Sequence, residues 1–241
     1  MAFFAGITAR APLLLIGCGH MGGALLRAWL RKGLPARNVV IADPHPRGLP
    51  RQRGLRVFTD AADALAKHPS PRVAVVAVKP QVLTEALKAA RRLDVKKTLI
   101  LSITAGAHIR TIERALGKPA RAVRAMPNTP AALGRGIAVM TANARANAAD
   151  RKLAAALLKA GGKVIATGNE KLLDAVTAVS GSGPAYFYLM AEALAAAGVK
   201  TGLPKVMARA LALETFLGAA ALLEASGANP EDLRKRVTSK G

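Results

Sequence analysis

One cysteine in 241 residues rules out a disulfide framework, so this fold must be held by its core and fits a reducing compartment. Aromatic residues make up only 3%, which leaves little for the stacking platforms that single-stranded nucleic acid requires. Acidic side chains are also few: 14 Asp and Glu face 36 Lys and Arg, for a formal charge of +22. Such an excess invites a nucleic-acid reading. The basic residues are dispersed, however, and the chain has no helix-turn-helix, zinc or RNA-binding pattern. Dispersed charge attracts anions indiscriminately, so neither a specific nucleic-acid partner nor a metal site is expected. Long hydrophobic runs are missing too. The chain is 51% hydrophobic, yet Leu13–Ile16, Val73–Val78, Thr98–Leu101 and Ala219–Leu223 fall far short of the roughly 20 residues a membrane helix needs. The first twelve residues have too short an apolar core, and no basic start, for a secretion signal. They are expected to form a disordered or mis-started leader, and the protein is expected in the cytoplasm without a membrane partner.

What is present begins with Leu13–Ile16, a short apolar run of the kind a buried parallel strand shows. Gly17-Cys18-Gly19-His20-Met21-Gly22 follows and matches G-x-G-x-x-G. Met21, Leu25, Ala28 and Trp29 then recur at helical spacing. Strand, glycine turn and helix come in the order that a dinucleotide pyrophosphate requires. Gly17 serves the tight turn, Gly19 the backbone approach and Gly22 the close helix–strand packing. Cys18 reads as a small packing residue, not a nucleophile. A second strand, Val39–Ala42, ends at Asp43, 21 residues after Gly22. A carboxylate there accepts hydrogen bonds from ribose hydroxyls and favours NAD, whereas Arg47 nearby could hold a 2′-phosphate. Both NADPH and NADH remain candidate cofactors.

Strand and helix keep alternating. Val73–Val78 is a β-branched run that meets Lys79 and Pro80, with a helix from Gln81 to Arg92. Thr98–Leu101 leads into Ser102–Gly106, and His108–Leu116 reads as helix. Ala120–Arg124 reads as a strand leading to Met126-Pro127-Asn128-Thr129-Pro130. Ile137–Thr141 and Lys163–Thr167 flank a helix over Ala148–Leu158. This order predicts an α/β fold with a doubly wound, mostly parallel, Rossmann-like sheet over residues 12–167. From 168 to 241 the texture is Ala- and Leu-rich at helical spacing, which predicts a smaller all-α domain. The helix Pro204–Ala225 is apolar nearly all round and calls for burial on several sides, hence dimerisation. Asn229, Pro230, Glu231 and Asp232 carry the start signals of another helix.

The segment Ala178–Tyr188, AVSGSGPAYFY, is the most telling. Two glycines bracket a hydroxyl in Ser180-Gly181-Ser182-Gly183, and Pro184 suits the first turn of a helix. A hydroxyl-rich glycine turn at a helix N-terminus fits a small carboxylate.

With GCGHMG, Ala77-Val78-Lys79-Pro80-Gln81, Ser102–Gly106, MPNTP, AVSGSGPAYFY and VTSKG in order, the chain resembles pyrroline-5-carboxylate reductases from Leu13 to Gly241. The resemblance implies NAD(P)H-dependent reduction of a cyclic imine to L-proline, the last step of proline biosynthesis, in a dimer that assembles further into a decamer. It places the cofactor at Gly17–Gly22, Asp43, Ala77–Pro80, Ala105, Gly106, Met126 and Asn128. It places substrate at Ser180, Ser182, Thr238 and Ser239. Hydride addition to an iminium yields a neutral amine, so none of His20, His45, His68 and His108 is needed as an acid; Lys79 is the best charged candidate near the nicotinamide, and a capping or surface lysine is the equal alternative. Two departures follow from the resemblance. Ala61 stands where relatives place a cofactor-contacting asparagine. Gly241 falls within the family's Gly-Gly-Thr-Thr segment, so a hydroxyl near the substrate nitrogen and a long final helix are expected beyond it. β-Hydroxyacid dehydrogenases share Gly181-Ser182-Gly183, but their catalytic lysine falls at Phe187 and their asparagines at Met190 and Ala191.

Overall fold

The computed structural model describes residues 4–47, 49–50 and 52–238. The chain divides into two compact units, Met1–Ser182 and Gly183–Gly241. In the first unit one sheet holds β1 (Leu13–Ile16), β2 (Val39–Ala42), β3 (Arg56–Phe58), β4 (Val73–Val76), β5 (Leu99–Ser102), β6 (Ala122–Met126), β7 (Gly136–Ala142) and β8 (Gly162–Ala166). Their order is β3-β2-β1-β4-β5-β6-β7-β8. All neighbours are parallel except β6 and β7, which agrees with the doubly wound expectation. Because β1 lies between β2 and β4, the chain turns opposite ways on either side of it and leaves a crevice at the strand ends.

The central strands β1, β2 and β4 read as unbroken apolar runs because they are covered on both faces. Leu13 and Leu15 enter one core cluster, while Leu14 and Ile16 enter the other. The helices covering the sheet are α1 (His20–Arg31), α2 (Ala61–Lys67), α3 (Leu83–Ala89), α4 (Ile109–Leu116) and α5 (Ala148–Lys159). Trp29 of α1 is fully buried, and its Nε1 donates to the Leu157 carbonyl at 2.8 Å. Fully buried Asp150 closes a capping box with Asn147 at the start of α5 and pairs with Arg121 at 2.7 Å.

Three features depart from the sequence reading. β3 and α2 were not foreseen: β3 has three residues, and the start of α2 is set by Asp60, whose carboxylate accepts from the Ala62 and Asp63 N–H groups. The described part of the supposed leader, from Phe4 on, packs into the fold. Phe4 and Ile7 are buried in the core, and the Ile7 carbonyl accepts from Asn38 Nδ2 at 3.0 Å. The first unit also extends past Thr167 to Ser182, taking in α6 (Leu172–Val176) and a π-helical turn at Thr177–Gly181.

The second unit contains α7 (Gly183–Lys200), α8 (Lys205–Ser226) and α9 (Pro230–Val237). Gly198 lets α7 approach the Ala208 methyl of α8, and Phe187 meets Phe216 with ring centroids 5.9 Å apart. Asn229 caps α9 through the Glu231 N–H, as its start signals imply. Much apolar surface stays bare: Tyr186, Leu189, Met190, Val206, Leu211 and Leu222 are all exposed.

One charge contact makes the first unit pH-sensitive. Arg56 Nη1 lies 3.2 and 3.3 Å from the two ring nitrogens of His68, the C-cap of α2. Burial, then the Arg56 charge, lowers the imidazole from its ordinary value of 6.5. The unfolded chain therefore binds this proton first as pH falls. The stability from neutral His68 is intact above about pH 6.5 and is lost as pH falls through the depressed folded value. The urea midpoint should drop between about pH 7.5 and pH 5, and His68→Gln should flatten that drop. An identical pH profile in the variant would count against this contact.

Candidate functional site

At the crevice beside β1, a cleft of about 510 Å³ is lined by Gly17, Gly19, Asp43, Ala77, Val78 and Lys79, together with Thr59, Asp60 and Ala61. Residues far apart in sequence meet here because their strands end side by side. The backbone ladder continues past the strands, with Gly17 N–H on the Ala42 carbonyl and Ala77 N–H on the Ile16 carbonyl.

The three glycines of the turn do separate jobs. Gly17 has φ of +91°, and a Cβ there would meet Val78 Cγ1 at 2.8 Å. A Cβ on Gly22 would collide with the Gly17 carbonyl oxygen. Both are glycine because the protein itself leaves no room. Gly19 is different: nothing lies within 4 Å of a Cβ built there, and its φ of −78° suits any residue. The space over Gly19 is open to the cleft. Gly19 is also the N-cap of α1, with no side-chain cap and no acidic residue in the first turn. A helix start with outward N–H groups and a positive dipole end is suited to a pyrophosphate. The residues present therefore fit a dinucleotide.

Asp43 ties the turn down. Its Oδ2 accepts from the Cys18 N–H at 2.5 Å and its Oδ1 from the His45 N–H at 2.7 Å. Each carboxylate oxygen keeps a lone pair for a further donor such as a ribose hydroxyl. The Cys18 thiol faces the core. Burial, then the nearby Asp43 charge, pushes its pKa up to about 11, which suits packing and not nucleophilic chemistry. Met21 packs half-buried on the same core, while His20 is exposed at the first position of α1. Lys79 and Pro80 are exposed where a 3-10 turn leaves β4. Thr104 fixes that loop by donating from Oγ1 to the Val78 carbonyl at 3.1 Å.

The remaining cofactor candidates lie outside this cleft, at the ends of β5 and β6. Ala105 and Gly106 follow β5, with Gly106 exposed at φ +68°. Met126 ends β6. Asn128 is buried, and its Oδ1 accepts from the Ile137 N–H at 2.9 Å, so that oxygen shapes the loop.

The substrate candidates depart from the expected turn. Backbone through Ser180–Gly183 is helical, not an open glycine loop, and neither Gly181 nor Gly183 has positive φ. Ser182 N–H donates to the Thr177 carbonyl five residues back at 2.8 Å, which makes a π turn, a form common at functional sites. Ser180 is half-buried on it, its Oγ donating to the Val176 carbonyl at 3.2 Å. Thr238, in the second unit, donates from Oγ1 to the Arg234 carbonyl at 2.7 Å. Ser239 lies outside the described residues.

Sequence reasoning missed one charged cluster. Arg124 of β6 is buried, with its Nη2 2.8 Å from Asp174 Oδ1 and its Nη1 3.5 Å from Glu170 Oε1 and 3.1 Å from His108 Nδ1. Glu170 also accepts from the Ile109 N–H at 2.7 Å. The hydrogen bond from Arg124 is the main reason the Asp174 carboxyl sits below its ordinary value. An arginine inside the apolar run Ala-Val-Arg-Ala was the available signal, since a buried guanidinium needs carboxylate partners.

A family model described as pyrroline-5-carboxylate reductase dimerisation matches residues 170–241, and one for coenzyme F420-dependent NADP oxidoreductases matches residues 13–106. Pyrroline-5-carboxylate reductase from Pseudomonas aeruginosa is 39% identical over 94% of this chain and 83% of its own length. The enzyme from Pisum sativum is 37% identical over 94% and 82%. The chain belongs to the pyrroline-5-carboxylate reductase family. A solved reductase of this family from Plasmodium falciparum, with NADP bound, superposes with a TM-score of 0.83 at 29% identity, covering 96% of this chain and 85% of the other. The Coxiella burnetii enzyme gives 0.80 at 30% identity, covering 96% and 86%. An imine reductase from Myxococcus stipitatus, at 19% identity and a TM-score of 0.54, shares the fold.

The glycine geometry separates binding from folding in this family member. Gly19→Val should leave the unfolding temperature close to wild type while raising the dinucleotide Kd by at least about tenfold. Gly22→Ala should destabilise the first unit by ~1–3 kcal/mol through overpacking. Fluorescence titration with NADH and thermal melts on both variants decide the matter, and a Gly19→Val variant that binds NADH as wild type does would contradict it. Asp43→Ser should weaken NADH more than NADPH, by ~1–3 kcal/mol. Equal losses would mean that Asp43 only ties the turn.

Proposed function

We propose that this chain reduces 1-pyrroline-5-carboxylate to L-proline, the last step of proline biosynthesis, with NADH or NADPH as hydride donor. One observation carries the reading: relatives named for this reaction match 94% of the chain, through the glycine-turn cleft and the helical unit alike. Bound in the cleft, the dinucleotide supplies the hydride. The α1 N–H groups hold its pyrophosphate and Asp43 its ribose. Ala77–Pro80, Ala105, Gly106, Met126 and Asn128 frame the nicotinamide. Ser180, Ser182, Thr238 and Ser239 hold the substrate carboxylate and ring nitrogen, directly or through water.

Hydride addition to a protonated imine ends in a neutral amine, so no new negative charge has to be quenched by a side-chain acid. His68 and His108 are each engaged with an arginine. Dimerisation gives the exposed apolar faces of α7 and α8 a partner, and assembly of dimers into a decamer belongs to the same proposal. α8 is long and apolar enough to cross a bilayer, with a mean hydropathy of 1.6. Its place within the dimerisation match favours a protein partner over lipid. The sole cysteine, held as a buried thiol, supports a cytoplasmic location.

The test is NAD(P)H oxidation followed with increasing imine, with proline identified as product. Saturable, imine-dependent oxidation is expected. Turnover of 2-hydroxy or 2-oxo acids with none of the imine would overturn the assignment.

A further inference from the structure

The Arg124 cluster joins the sheet to the very segment assigned above to substrate. Arg124 and Met126 are two apart on β6 and therefore project from the same face. Arg124 grips Asp174 and Glu170, at the start of the run that leads to the π turn. Met126 meets the turn itself: its Cε stands 2.5 Å from where a Cβ on Gly181 would be. Leu173, between the two carboxylates, is fully buried. The segment is thus fastened to one strand end at two points, with Ser180 beside the second. All of these residues lie in the first compact unit.

A buried guanidinium with a carboxylate on each side is an expensive way to pin a surface helix, because its desolvation cost is offset only when the partners sit in good geometry. That demand makes the contact selective for one placement of α6. A π turn adds a local register that a regular helix would not keep by itself. Small errors at such a position are amplified, because displacement of a substrate-holding group by about 1 Å can cost up to about a hundredfold in rate.

We propose that Arg124, through Asp174 and Glu170, is a positioning residue that sets the register of the Ser180 turn for the imine carboxylate. This rests on the reading that Ser180 contacts substrate. It gives the cluster a specific kinetic signature. Loosening it at Asp174, with Met126 left in place, should spoil substrate recognition while the glycine-turn cleft, lined from the ends of β1, β2 and β4, keeps its cofactor.

Arg124→Ala risks unfolding, since it strands two carboxylates beside an empty strand site, so the informative change is at the exposed end of the pair. Asp174→Asn keeps the side-chain shape and removes the charge. Its KM for the imine should rise by about tenfold, with the NADH Kd and the melting temperature close to wild type. Asp174→Glu, which restores the carboxylate, should recover part of the loss. Ser180→Ala, measured alongside, separates the two ideas. If Ser180→Ala raises KM and Asp174→Asn leaves it unchanged, the positioning proposal is overturned and the substrate reading stands. If Ser180→Ala also leaves KM unchanged, the substrate reading fails and the proposal falls with it. A parallel fall in KM performance, NADH affinity and melting temperature for Asp174→Asn would show a merely structural pin and overturn the proposal as well.

Discussion

Everything in the first unit depends on how closely α1 approaches the end of β1. Gly22 lies against the Gly17 carbonyl with no room for a side chain. That contact starts the helix at the strand end and points its free N–H groups into the crevice. A longer loop would have turned the dipole elsewhere and left the cleft without its anion-binding end. Asp43 then sets the turn against the end of β2 through the Cys18 N–H, which fixes the α1 start and the Asp43 carboxylate relative to each other. The geometry selects a dinucleotide before any side chain is asked to recognise one.

The central strands β1, β2 and β4 that support this turn are buried along their whole length and carry only apolar side chains, so they supply no polar chemistry themselves. Polar groups come in at the strand ends, or inside only as matched sets. Asp150 with Arg121 and Arg72, and Arg124 with Asp174 and Glu170, are two such sets. In each the charge is shared among elements that are distant in sequence, so the pairing works as a register mark more than as a source of stability.

Much of this was legible in the chain. The apolar runs named the principal strands, and G-x-G-x-x-G between a strand and a helical repeat placed the cleft. What escaped did so for physical reasons. A three-residue strand such as Arg56–Phe58 carries no periodicity. Phe4 and Ile7 bury a leader with only two side chains, too few to read as an element. Pro184 does stand in the first turn of α7, but the glycines before it form no open loop, because the backbone there is held helical by the Thr177–Ser182 hydrogen bond and by Met126 packed on Gly181. Arg124 and Asp174 are fifty positions apart, beyond the reach of any local pattern. The helical unit shows the converse case: the apolar wrap of α8 was plain in the sequence, and its leucines stand exposed in the single chain.

These parts serve the reaction proposed above, transfer of a hydride from a dinucleotide in the glycine-turn cleft to the carbon of a cyclic imine. The direct measurement is isotopic: turnover of the imine with nicotinamide cofactor deuterated at the transferring position, followed by mass and NMR analysis of the product. The proposed reaction predicts proline carrying a single deuterium at the former imine carbon. Unlabelled proline, or label lost to solvent, would contradict the account.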